Sequence, residues 1–240
     1  MASGGAARIT AMQVPIEWLP DKGAPEQLLL LLHGWGSNAA AMAPLAQALR
    51  GAFPQAALLA PDAPLPWDRA DAAASSTRQW YGIQDLDEQN WPGRVATVLP
   101  ELRDWVRQQQ RRLGVAAAAT ALAGFSQGAI LALALALRND GIAGRVLAFG
   151  GRIVGAPVAA PQLTTLHLFH GSDDAVIPVD HARQALAQLA ALQGDATLDV
   201  AQGVAHELHP ALIDCALHRL KNHIPLRTWR AAMGDQSPPR

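Results

Sequence analysis

The sequence predicts an α/β domain, with a mostly parallel central sheet flanked by helices. Three observations lead there. Apolar runs alternate along the chain with amphipathic or Ala-rich stretches, the order that strand–helix–strand units produce. The run from Leu28 to Leu32 is leucine throughout, as suits a strand covered on both faces. A glycine-flanked serine, Ser126, stands where an apolar run gives way to an Ala/Leu-rich one.

Strands are expected over 9–18, 27–33, 57–61, 118–123, 145–149, 165–170 and 196–201. Helices are expected over 39–49, 94–113, 127–137, 179–192 and 207–223. In the second of these Val95, Val98, Leu99, Leu102, Trp105 and Val106 recur at helical spacing. Between 61 and 91 the periodicity disappears and Pro, Trp and polar residues dominate, which marks a functional or disordered stretch.

The 240 residues suit one domain, expected over 1–225, followed by a polar tail over 226–240 that contains Ser-Pro-Pro and is expected to fray. Half the residues are hydrophobic and 16% are charged, the balance of a compact globule. A net charge of −1 without a polybasic run gives no reason to bind nucleic acid or an anionic membrane. The longest apolar run, 129–137, is too short to span a bilayer. Cys215 is the only cysteine, so no internal disulfide can form. The first fifteen residues lack a basic stretch followed by an apolar core, so a cytoplasmic protein, monomer or homodimer, is expected.

Gly124-Phe125-Ser126-Gln127-Gly128 fits G-x-S-x-G in the strand–turn–helix setting that an α/β-hydrolase fold gives its nucleophile. The turn projects the hydroxyl clear of the sheet. The glycines remove Cβ atoms that would collide as strand and helix close together. The helix amino terminus aims unpaired N–H groups at the oxyanion.

A serine hydroxyl becomes a nucleophile when a neutral imidazole takes its proton, and a carboxylate fixes that imidazole's tautomer. In this fold the order is Ser, then Asp or Glu, then His, the later two in loops after strands. The strand 165–170 runs into Gly171-Ser172-Asp173-Asp174, so the acid is Asp173 or Asp174; spacing alone does not separate them. The strand 196–201 leads to His206, the expected base. His209, the nearest rival, lies further from the strand end and is followed by Pro210. His206-Glu207-Leu208-His209 is not a zinc-protease motif, which needs a four-residue histidine spacing.

His33-Gly34-Trp35-Gly36 follows the leucine strand, where a loop can supply one oxyanion N–H opposite that of the residue after the nucleophile. This assigns the Trp35 and Gln127 amides. His33 precedes the serine, the wrong order for a base here, and reads as a structural histidine holding the loop. Trp35, Trp67, Trp80 and Trp91 fall in or beside loops, where aromatic walls suit an acyl chain. Trp67 and Trp91 serve equally well as caps on the core.

With these residues in view, the chain resembles the phospholipase/carboxylesterase family of α/β hydrolases, which includes the acyl-protein thioesterases. The resemblance spans about residues 26 to 225 and rests on Leu32-His33-Gly34-Trp35-Gly36, Arg78-Gln79-Trp80-Tyr81, Gly124 to Ala129, His170-Gly171 with Asp174, and Ala205-His206. It implies Asp174 rather than Asp173 as the acid, and Trp80 and Tyr81 as lining of the substrate cleft. Ser126-Gln127-Gly128-Ala129 and Asp174-Ala175 depart from the thioesterases, which usually carry Ser-Gln-Gly-Gly and Asp-Pro.

The expected function is therefore a serine carboxylesterase acting on short- to medium-chain esters through an acyl-enzyme, with Ser126, Asp174 and His206 as catalytic residues. A thioesterase or lysophospholipase acting on S-acyl protein, acyl-CoA or lysolipid is the first alternative. A non-catalytic binding module of the same fold is the second. The partner is a small-molecule ester or thioester, and neither metal nor organic cofactor is called for.

Overall fold

A computed structural model describes residues 14–68 and 76–234. Its main sheet contains β1 (Ile16–Trp18), β2 (Gln27–Leu32), β3 (Ala56–Ala60), β6 (Thr120–Phe125), β7 (Arg145–Phe149), β8 (Thr165–Gly171) and β9 (Ala196–Ala201). The spatial order is β1-β3-β2-β6-β7-β8-β9, with β1 antiparallel to β3 and every other neighbouring pair parallel. Two short strands, β4 (Leu65–Pro66) and β5 (Arg78–Gln79), form a separate antiparallel pair. The helices are α1 (Ala43–Ala52), α2 (Trp91–Leu113), α3 (Gln127–Arg138), α4 (Asp180–Ala191), α5 (Pro210–Asn222) and α6 (Leu226–Ala232).

The leucine run behaves as a doubly covered strand should. Leu28, Leu30 and Leu32 join the core that includes α2 and α3 residues, while Leu29 and Leu31 join the opposite core with α1 and α5. Successive side chains of a strand point to opposite faces, so one unbroken apolar run serves both layers. Each such buried leucine contributes about 2 kcal/mol.

Several boundaries differ from the sequence reading. β1 begins at Ile16 rather than residue 9, and residues 9–13 lie outside the described residues. α2 begins at Trp91, three residues early, because Pro92 suits a first helical turn. α5 begins at Pro210 rather than 207: His209 Nδ1 accepts the Ala211 N–H and caps it, which leaves His206 in the preceding loop. The irregular stretch contains the β4–β5 pair, with 69–75 outside the described residues.

The segment expected to fray carries α6, since its polar groups find partners: the Leu226 N–H donates to Asp195 Oδ2 and Arg230 Nη1 to Gln162 Oε1. Residues 235–240 lie outside the described residues. Among the described residues no helix is long and apolar enough to cross a membrane.

Candidate active site

Ser126 links β6 to α3 with φ 52° and ψ −115°, a left-handed backbone for a residue that carries a Cβ. A strand and a helix hold it there: its N–H donates to the Phe149 carbonyl of β7 at 2.9 Å, and its carbonyl accepts from the Ile130 N–H of α3 at 3.0 Å. A Cβ on Gly124 would overlap the Gly128 carbonyl, and one on Gly128 would overlap the Leu32 carbonyl oxygen. The two glycines therefore permit the close strand–helix approach that lifts the serine out of the sheet.

Asp174 and His206 lie in the loops after β8 and β9, at the same carboxyl edge of the sheet. Those loops are joined: Ser172 N–H donates to Ala201 O at 2.9 Å and Asp173 N–H to Val204 O at 3.0 Å. His206 Nε2 lies 2.9 Å from Ser126 Oγ, and His206 Nδ1 lies 2.7 Å from Asp174 Oδ2. A carboxylate only accepts, so Nδ1 carries the hydrogen, and in the neutral ring Nε2 is left to accept the serine hydroxyl. Phe125 packs on the imidazole with ring centroids 4.8 Å apart.

Asp174 is 5% exposed and its carboxylate is fully engaged. Oδ1 accepts the Val176 and Ile177 N–H groups at 2.9 and 2.8 Å, and Oδ2 faces both His206 and His170. Asp173 is exposed and accepts the Ser172 hydroxyl instead. The structure thus joins Ser126, His206 and Asp174 and leaves Asp173 and His209 apart.

The loop after β2 reaches the nucleophile, since a Cβ on Gly34 would come within 3.4 Å of Ser126 Cβ. His33 holds that loop. It is fully buried; its Nε2 accepts the Ala63 N–H at 3.0 Å and its Nδ1 donates to the Gly34 carbonyl at 2.8 Å. Burial pushes its pKa below the ordinary value, which suits this neutral tautomer. Trp35 follows, with its indole N–H on Gln79 Oε1 and its ring edge-on to Trp67 at 5.3 Å. Gln127 opens α3, where the backbone N–H has no carbonyl of its own helix to bond.

Trp80 and Tyr81, expected along a cleft, are withdrawn from solvent at 0% and 3% exposure. Trp80 Nε1 donates to the His33 carbonyl, and the Tyr81 hydroxyl accepts from Trp91 Nε1. Burial pushes the Tyr81 pKa up to about 12, so its hydroxyl stays protonated. Sequence reasoning used only the backbone of Gln127. Its side chain is also engaged, with Oε1 accepting the Trp80 N–H at 2.8 Å and Nε2 donating to the Tyr81 carbonyl at 2.9 Å.

The family model for phospholipase/carboxylesterase proteins matches residues 19–224. The chain belongs to the phospholipase/carboxylesterase family. As a member of this family it is a hydrolase, built on the α/β-hydrolase fold. Esterase YpfH of Escherichia coli is 37% identical over 219 residues, covering 91% of this chain and 92% of that protein. Among solved structures, esterase PE8 has 28% identity and a TM-score of 0.79, covering 90% of this chain and all of that one. The Bacillus cereus carboxylesterase shares the fold at 16% identity and a TM-score of 0.72, over 89% of this chain and 95% of its own.

Proposed function

We propose that the protein is a serine carboxylesterase that hydrolyses short- to medium-chain carboxylic esters through an acyl-enzyme on Ser126. The observation that carries this reading is the imidazole of His206, with Ser126 Oγ at one ring nitrogen and Asp174 Oδ2 at the other. The kinship with proteins named esterases supports the substrate class.

In the first step His206 Nε2 takes the Ser126 proton as Oγ attacks the acyl carbon. The negative charge that builds on the carbonyl oxygen is met by the Trp35 and Gln127 amides, each worth about 3 kcal/mol in such a hole. The imidazolium then returns its Nε2 proton to the departing alkoxide, and the alcohol leaves. Water repeats the sequence on the acyl-enzyme, giving up a proton to His206 and releasing the acid. Asp174 stays ionised throughout and holds the Nδ1–H tautomer. Trp80 and Tyr81 back the site from inside, setting the floor on which Gln127 rests. The reaction needs no metal and no organic cofactor.

The test is hydrolysis of a chain-length series of p-nitrophenyl esters by the wild type and Ser126→Ala, with fluorophosphonate labelling alongside. Turnover and labelling by the wild type alone is the expected result, and the preferred chain length sizes the acyl pocket. A folded wild type that neither hydrolyses nor labels removes the proposal and favours a binding module. Faster turnover of matched thioesters moves the substrate class to thioesters.

A further inference from the structure

His170 ends the apolar part of β8, and its side chain is 1% exposed. A histidine so enclosed needs its polar atoms accounted for. Its Nε2 lies 2.7 Å from the Ile177 carbonyl oxygen and 3.2 Å from Asp174 Oδ2. Neither partner can donate, so Nε2 carries the hydrogen and shares it between them.

This completes an unusual degree of restraint on one carboxylate. Two backbone amides hold Asp174 Oδ1, and two imidazoles face Oδ2, which matches the four lone-pair positions a carboxylate offers. The two imidazoles are not equivalent. His206 changes protonation at its far nitrogen as the reaction runs, whereas His170 turns its Nε2 to the Ile177 carbonyl and Asp174 Oδ2. Without His170, the torsion that turns Oδ2 toward His206 would be fixed from the Oδ1 side only. The Ile177 carbonyl holds the His170 ring in turn, and the Ile177 N–H holds Oδ1, so one short loop braces both ends of the carboxylate.

We propose that His170 is a positioning residue for the hydrolysis: its Nε2–H, anchored on the Ile177 carbonyl, aims Asp174 Oδ2 at His206. The inference rests on the assignment of Ser126, His206 and Asp174 as the reacting set.

Two substitutions separate the hydrogen bond from the ring. His170→Phe keeps the ring and removes the donor, while His170→Gln removes the ring and keeps an amide N–H near the position of Nε2. The Phe variant should lose about tenfold or more in kcat with KM within about twofold, since misplacement near a reacting centre is costly in rate. The Gln variant should keep kcat within about threefold of the wild type, because one correctly placed donor is what the carboxylate requires. A role in packing alone predicts the reverse order.

Should the Phe variant fail to fold, imidazole nitrogen NMR of the wild-type protein at alkaline pH still decides the matter. The expected spectrum shows His170 as the Nε2–H tautomer coupled across to Asp174. An Nδ1–H tautomer, a Phe variant with wild-type kcat, or a Gln variant as impaired as Phe would each overturn the proposal. The tautomer is readable even if the protein cleaves no ester, so failure of the esterase reading stays distinct from failure of this one.

Discussion

The side chain of Gln127 accepts the Trp80 backbone N–H at 2.8 Å, tying the first turn of α3 to the chain just after β5. Its other end donates to the Tyr81 carbonyl, so one residue satisfies two buried backbone groups nearly fifty positions away in sequence. Gln127→Met keeps the length and loses both bonds. Each orphaned backbone group costs about 1–3 kcal/mol, so urea unfolding should register a clear loss of stability. Because the same residue supplies a proposed oxyanion N–H, kcat should fall about tenfold or more as that turn loses its bracing. A variant with unchanged stability would show that water replaces the amide without cost.

Asp173 and Asp174 are adjacent and chemically identical, yet their surroundings assign them different weights. Asp174→Asn would present an amide where the carboxylate accepts two backbone N–H groups and two imidazoles. A donor facing a donor favours the wrong His206 tautomer, and kcat should drop by about 10⁴-fold. Asp173→Asn, at an exposed position, should keep activity within about twofold, as surface substitutions generally do. Equal effects from the two, measured on one p-nitrophenyl ester, would contradict the assignment of the acid.

How much of this was legible depends on whether the signal is local. The Ser126 turn was readable because two glycines at fixed spacing are needed wherever a strand and helix approach so closely. His206 was readable because it is the first histidine after the last strand, where the chain order of the fold puts the base. Asp173 and Asp174 could not be separated by spacing, because the two amides that select Asp174 come from the loop's own curl. The bonds made by the Gln127 side chain and by His170 are hidden in the sequence for a related reason. Gln127 reaches backbone groups nearly fifty residues away, and the carbonyl that anchors His170 is a backbone atom, neither of which a pattern of residue types reveals. His206 to His209 resembles a helix opening in sequence, whereas in the structure His209 caps one, so α5 starts later than the pattern suggests.

The glycines of the serine turn can be tested against one that only occupies a helix. Gly128→Ala would drive a Cβ into the Leu32 carbonyl, which is backbone and cannot step aside. Severe destabilisation or loss of soluble protein is expected, as overpacking a rigid site costs about 1–3 kcal/mol or more. Gly51 sits on an exposed part of α1 with nothing within 4 Å of an added Cβ. Gly51→Ala should therefore stabilise by about 0.5–1 kcal/mol through helix propensity. Thermal unfolding of the pair reads both signs, and a tolerated Gly128→Ala would mean that β2 and α3 can separate.

Acid should destabilise the fold through two buried histidines far from one another. His167, fully buried in β8, has its Nδ1 on the Thr197 hydroxyl. Burial pushes its pKa down to about 3, helped by the neighbouring His223 and Arg145 side chains and opposed by Asp195. Burial lowers His33 as well. In both cases the unfolded chain, with a histidine pKa of about 6.5, takes up a proton that the native state refuses. Their stabilising contribution is therefore complete above about pH 6.5 and is lost as the pH falls toward the native values. The His167 imidazole, with its native pKa far below 6.5, adds a slope of about 1.4 kcal/mol per pH unit within that window. Urea unfolding at steps from pH 7 to pH 4 should show stability falling throughout. His167→Asn, which can keep a bond to Thr197, should flatten the curve by the share of one proton. A variant as acid-sensitive as the wild type would mean that His167 becomes solvated before the chain unfolds.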